Sequence, residues 1–243
     1  MTVRAAGAPG AVVADAARSY HKGNVAQDLL EAAARILDSE RVEDLSVRRL
    51  ARVVGVTPAN FYNHFDSLND LLLNLGADAF EARARLLADI RRTSKSRSEA
   101  IRRSVTYYVD LASQTHQVFR IMFGLIPNAD RHPRFQRASD ASMGELVELV
   151  YGEPRHDPSN LDASRDRCKA AYAILALGYG LARVIVDGSV PFSAARQADM
   201  RAFVEAVIQT VLDGELAALA ADPEVRLEEP PVAPPISTMF TSP

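Results

Sequence analysis

Apolar residues recur at three- and four-residue spacing almost without a break from residue 24 to residue 220. That spacing lines one face of an α-helix and does not fit the strict alternation of a half-buried strand. Pro127, Pro133, Pro154, Pro158 and Pro191 fall between the periodic stretches, where helix breakers belong. The two Asp-Gly pairs, at 187–188 and 213–214, lie at or within helical patterns, so neither marks a hairpin. An all-α fold is expected, with helices at 24–38, 46–54, 57–65, from 67 past Ile90, and at 97–113, 115–125, 134–151, 162–187 and 194–220. The polar, proline-containing stretch 152–161 reads as a loop.

The two ends differ from this pattern. Residues 1–23 are small and weakly patterned, and read as a flexible arm. Residues 222–243 hold six of the thirteen prolines and read as an extended tail. Four regions follow: an arm at 1–23, an N-terminal three-helix domain at 24–66, a C-terminal helical domain at 67–221 and the proline-rich tail at 222–243. Cys168 is the single cysteine, which excludes a disulfide within the chain and a cysteine-rich zinc site. The N-terminus carries Arg4 but no apolar core of a secretory signal, and the uncharged run 170–182 is shorter than the roughly 20 residues of a membrane span. A cytoplasmic protein without membrane contact is expected.

Net charge is −3 and the isoelectric point is near 6.0, so any surface for nucleic acid has to be local. Residues 46–65 supply one. They contain Arg48, Arg49 and Arg52 and no acidic residue. Ser46 stands in N-cap position before Val47–Val53, Gly55 stops that helix, and Thr57-Pro58 opens the next with a capping hydroxyl and a proline where a missing N–H is harmless. Leu50, Ala51, Val54, Val56, Phe61 and Phe65 can share one small core, and Ala51 is small where the helices must approach. This is the geometry of a helix-turn-helix, whose second helix enters the major groove. Its outer face would present Pro58, Ala59, Asn60, Asn63 and His64. An asparagine can read an adenine edge, a proline or alanine can meet a thymine methyl, and Tyr62 and His64 can reach phosphates.

The block Ser46, Gly55-Val56-Thr57 and Tyr62-Asn63-His64-Phe65 resembles the DNA-binding domain of the TetR family of bacterial regulators, over roughly 24–72. The resemblance implies an N-terminal three-helix DNA-binding domain and a C-terminal helical ligand-binding and dimerisation domain. It also implies a homodimer on a pseudo-palindromic, double-stranded operator, and a repressor released by a small-molecule effector. Arg48, Pro58, Ala59 and Asn60 would then face bases, and Ser46, Thr57, Tyr62, Asn63 and His64 would face phosphates. Val47 completes the expected DNA-facing set. The family usually has a lysine where this chain has Leu68, so one backbone contact is expected to differ. The segment Thr115–Gly124 is similar to a helix in one subgroup of TetR-type effector domains.

Candidate pocket residues in the C-terminal domain are Tyr108, His116, Arg120, Met122, Phe123, Cys168, Tyr172 and Tyr179: a mostly apolar set with a few polar anchors. Five histidines show no metal-ligand spacing, and there is no phosphate loop or nucleophile elbow. No metal, cofactor or enzymatic activity is expected. A protein-interaction bundle without DNA binding would explain the apolar helices but not the acid-free, arginine-bearing block. The cluster Arg91, Arg92, Lys95, Arg97, Arg102 and Arg103 reads as a solvated linker.

Overall fold

Hydroxyl or amide side-chain caps start five of the helices. In the computed structural model, which describes residues 24–160, 167–186 and 197–214, Asn24, Ser46, Thr57, Ser67 and Ser96 each accept a hydrogen bond from the backbone N–H three residues on. Each cap satisfies an amide that a helix N-terminus leaves unpaired. The helices they open are α1 (Val25–Leu37), α2 (Val47–Val54), α3 (Pro58–Phe61), α4 (Leu68–Thr93) and α5 (Arg97–Gln114). A short α6 (His116–Arg120) runs into a wider π-turn at Ile121–Leu125. Then come α7 (Pro133–Tyr151), α8 (Lys169–Val186) and α9 (Gln197–Gly214). No strand occurs among the described residues, and the fold is all-α. The expected arm at 1–23 and tail at 222–243 lie outside the described residues, as do parts of the last two expected helices.

The expected helix 115–125 is not uniform. Phe123 (φ −114°, ψ 35°) and Gly124 (φ 116°) leave the helical region. Gly124 holds a left-handed backbone that a side chain would disfavour, so the helix breaks there before Pro127 is reached. α7 begins one residue earlier than its apolar pattern suggests, at Pro133. His132 caps it, Nδ1 accepting from Phe135 N at 3.1 Å. A neutral imidazole that accepts at Nδ1 donates from Nε2, and Nε2 lies 3.0 Å from Asp70 Oδ1 on α4.

α4 belongs to two cores. Its first half, through Leu71, Leu72, Leu75 and Phe80, packs with Leu29, Ala33, Leu50 and Phe61 of the first three helices and with Ile121, Met122 and Phe135. Its second half, through Leu87 and Ile90, packs with Val105, Leu146, Cys168, Ile174 and Ile208. The three N-terminal helices therefore share their core with α4 and the 121–138 region. α4 and α7 make the most extensive helix contact, and Gly76 sits at it: a Cβ there would lie 2.8 Å from the Phe135 ring and 3.0 Å from Ile121.

The basic cluster around α4 and α5 is tied down. Arg91 reaches Glu145 and Glu148, Arg92 pairs with Asp89, Arg102 donates to Gln209 and Arg103 donates to Thr93 and Ser94. α8 is long and apolar enough to cross a bilayer by length and composition. One of its faces packs on α5, where Gly178 lets the Tyr108 ring lie against the helix, and Tyr179 and Val184 stay exposed.

One cation is buried in this core. Arg83 on α4 is 2% exposed and has no carboxylate partner among the described residues. Nη1 donates to the backbone oxygen and hydroxyl of Ser142, and the guanidinium lies 4.6 Å from the Tyr108 ring centroid. Nε and Nη2 have no hydrogen-bond partner among the described residues, and neither does the Tyr108 hydroxyl. Burial lowers the Arg83 pKa and pushes the Tyr108 phenol up to about 12, although the Arg83 charge pulls that value back.

Two stability predictions follow from these packings. Gly76→Ala should lower stability by about 1–3 kcal/mol, the usual range for overpacking a close-packed core, read as a fall in the thermal midpoint. Arg83→Met fills similar volume without the desolvation penalty and should hold or raise the midpoint, whereas Arg83→Ala opens a cavity and should lose about 2–4 kcal/mol. A loss with Met as large as that with Ala would mean that the Ser142 and Tyr108 contacts outweigh the burial of charge.

Candidate nucleic-acid interface

The turn between α2 and α3 is held by its backbone. Gly55 takes φ 79°, a left-handed cap, and the Val56 amide donates back to Ala51 O at 2.9 Å. Ala51, Leu50, Phe61 and Phe65 are buried, Phe61 and Phe65 with ring centroids 5.6 Å apart, and Val54 and Val56 close the edges. The small core expected for this block is formed. α3 is shorter than its pattern suggests: regular helix ends at Phe61. Single turns carry the chain to Phe65, with Asn63 N bonded to Asn60 O at 3.1 Å and His64 N to Phe61 O at 3.0 Å. Asn63 and His64 are weak helix formers, while the anchored Phe61 and Phe65 fix where the segment must return.

Ser46, Arg48, Arg52, Thr57, Pro58, Ala59, Tyr62, Asn63 and His64 are exposed, and Val47 and Asn60 are half-buried. Ser46 and Thr57 accept from the amides of Arg49 (3.3 Å) and Asn60 (3.1 Å), which leaves each hydroxyl hydrogen free to donate outward. Tyr62 is 58% exposed, its ring edge-on to Phe61 at 5.3 Å, so the phenol stands clear of the surface.

Charge at this face is not shared equally among the three arginines. Arg49 pairs with both oxygens of Glu40, which lowers the glutamate pKa and raises that of the arginine. Arg48 and Arg52 have no ion pair among the described residues and face solvent. Asn60 is a second refinement: its Oδ1 is buried and unpartnered, so its amide must turn before it can present both donor and acceptor to a base. Leu68, where a lysine was expected, is half-buried against the first core.

The candidate pocket residues separate into three places. Arg120, Phe123 and Tyr179 line a cleft of about 250 Å³ together with Phe119, Gly124 and Arg183. Tyr108 lies behind that cleft, its ring centroid 5.8 Å from Phe123 and 6.5 Å from Phe119. His116, half-buried, begins α6 on the approach to it. Met122 belongs to the first core, and Cys168 is fully buried in the second with Tyr172 packed on its edge. Burial pushes the Cys168 thiol up, against the opposing pull of Arg167 and Arg155. Phe119, Arg83 and Arg183 were not among the expected pocket residues. The four-residue spacing of Phe119 and Phe123 was the available signal for the first; buried Arg83 has the spacing of an ordinary surface cation.

α6 also touches the DNA-binding end directly. Gln117 Oε1 accepts from the Val42 amide at 3.3 Å and from Arg120 Nη1 at 3.1 Å, and Arg120 Nη2 lies 3.0 Å from Glu43. Val42–Asp44 is the short turn that leads into α2. Its own backbone amide and then Arg120 hold the Glu43 carboxyl at about 2.

Residues 29–75 match the family model described as "Bacterial regulatory proteins, tetR family". The whole described fold is similar to solved structures. One is a protein of unknown function from Rhodococcus sp. RHA1 (24% identity, TM-score 0.62, covering 79% of this chain and 96% of that one). Another is the fatty acid degradation regulator FadR from Bacillus halodurans (16% identity, TM-score 0.57, covering 81% and 98%). A third is the transcriptional regulator FadR from Bacillus subtilis in complex with stearoyl-CoA (13% identity, TM-score 0.57, covering 77% and 98%). At these identities the structural likeness speaks for the fold, and the match at 29–75 speaks for the helix-turn-helix built there. Residues 29–75 are thus a DNA-binding domain of the kind that marks bacterial regulatory proteins of the tetR family, and the fold built around it is all-α.

Proposed function

We propose that the chain acts as a homodimeric repressor on a pseudo-palindromic operator, released when a small molecule enters the helical domain. The observation that carries this reading is the exposed, acid-free face of α2 and α3, with Arg48 and Arg52 unpaired in a chain of net charge −3. Residues 24–66 would form the DNA-binding domain, and 67–221 the effector and dimerisation domain. Such a protein works in the cytoplasm, where the chromosome is.

Support for a dimer comes from α8 and α9. Val184 and Phe203 are each 36% exposed there, apolar side chains that a symmetry mate would cover. One recognition helix reads only a few base pairs, and a two-fold partner doubles the site. Support for a small effector comes from the aromatic cleft beside α6, and from the stearoyl-CoA bound by the Bacillus subtilis regulator of the same fold. A ligand that binds one dimer geometry better than the other shifts the equilibrium away from DNA.

At the interface, Arg48, Pro58 and Ala59 face base edges, with Asn60 joining them once its amide turns. Ser46, Thr57, Tyr62, Asn63 and His64 face phosphates, and Val47 packs at the margin. Fluorescence anisotropy on the DNA upstream of its own coding region should show binding that weakens steeply with salt. Arg48→Ala should cost about 1–3 kcal/mol on the operator and much less on unrelated DNA. Tyr62→Phe should weaken both by the same factor. Equal loss on both DNAs for Arg48→Ala would move that arginine from the bases to the backbone.

A further inference from the structure

The cleft beside α6 has a distinct chemistry. Three rings face one another in it. Phe119 and Tyr179 are nearly parallel (16°) with centroids 5.7 Å apart, and Phe123 lies 4.8 Å from the first and 5.5 Å from the second. Its charged lining consists of Arg120 and Arg183, with no carboxylate among the lining residues. A third guanidinium, Arg83, sits behind the aromatic wall against Tyr108. At Gly124 the backbone leaves the helical region, and a Cβ there would meet no described atom within 4 Å. Aromatic walls with a cationic rim suit a flat ligand that carries a negative charge, and a cleft of about 250 Å³ suits a small one.

Arg120 joins this cleft to the DNA-binding end. Arg120 lines the cleft, and its guanidinium at the same time holds Glu43 at 3.0 Å, in the turn that leads into α2. That ion pair is open to solvent on the Glu43 side, and exposed pairs are weak. A carboxylate delivered from within the cleft, with its ring desolvated on Phe119 and Tyr179, competes with Glu43 on favourable terms.

We propose that the cleft binds a small aromatic carboxylate, and that the ligand's carboxylate takes Arg120 from Glu43 and so uncouples the Val42–Asp44 turn from α6. The proposal rests on the reading that a ligand of the helical domain controls DNA binding. Gln117 follows from the same step: its oxygen accepts from both Arg120 and Val42, so a moved Arg120 disturbs the second tether as well.

The test uses the full chain, with 2-naphthoate as probe and 2-naphthamide as the neutral match. Binding is followed by calorimetry without DNA, then by anisotropy with the upstream DNA. The acid should bind at least about tenfold more tightly than the amide. Arg120→Gln should erase that preference. Glu43→Gln removes the competitor and should tighten the acid about threefold, within the modest strength of an exposed pair. Saturating acid should weaken DNA binding at least about fivefold, within the usual range of allosteric coupling, and Glu43→Gln should blunt that response. Equal binding of acid and amide, no saturable binding of the acid below about 10 mM, or full DNA affinity in the acid-bound protein would each overturn the proposal. If Arg120→Gln fails to fold, Glu43→Gln on the exposed turn still decides it, since unchanged acid affinity there excludes competition. A chain that binds the acid but never its upstream DNA defeats the repressor reading and with it the uncoupling step, while the calorimetric result on the cleft stands.

Discussion

The fold depends on one helix serving two cores. α4 runs 26 residues, about 39 Å at 1.5 Å per residue. Its N-terminal half closes the core of the helix-turn-helix, and its C-terminal half closes the core of the helical domain. α7 lies along it, drawn close by Gly76 and clamped by polar contacts: His132 to Asp70, and Arg134 to Asp78 and Glu81. Helix interiors are close-packed, so a displacement of α4 at one end is passed to the other with little loss. The position of the α2–α3 segment is therefore set by the same packing that holds the 121–125 turn beside the aromatic cleft.

Electrostatics divides the molecule by neighbourhood. Many of the described arginines are taken up by nearby acids or carbonyls, as Arg49 is by Glu40 and Arg91 by Glu145 and Glu148. Arg48 and Arg52 on the α2–α3 face have no ion pair among the described residues. Attraction to phosphate is then confined to a patch, and it reaches only about 8–10 Å at ordinary ionic strength.

Much of this was legible in the sequence, for reasons that particular residues make plain. Ser46, Gly55, Thr57 and Pro58 are local signals: each fixes a cap or a turn through its own backbone chemistry, and each acts as expected. The apolar periodicity gave the helices because burial follows it. What spacing could not show were long-range pairings. Glu40 and Arg49 are nine residues apart and neutralise one another only because the turn before α2 brings them together. Arg83 has the pattern of a surface cation, yet α5 and α7 cover it. The pocket residues were the least legible. Met122, Cys168 and Tyr179 look alike as apolar side chains on helices, and only three-dimensional packing sorts them into two cores and a cleft.

The burial of Cys168 has a practical side. It is the chain's one thiol, fully enclosed and with its ionisation suppressed, so thiol-reactive labels meet no competing site while the protein stays folded. A cysteine introduced at an exposed position such as Asn63 would carry a spin label or fluorophore alone, and a symmetric dimer would carry a matched pair. The distance between two such probes is the separation of the recognition segments, which turns the lone native thiol into a silent background for a molecular ruler.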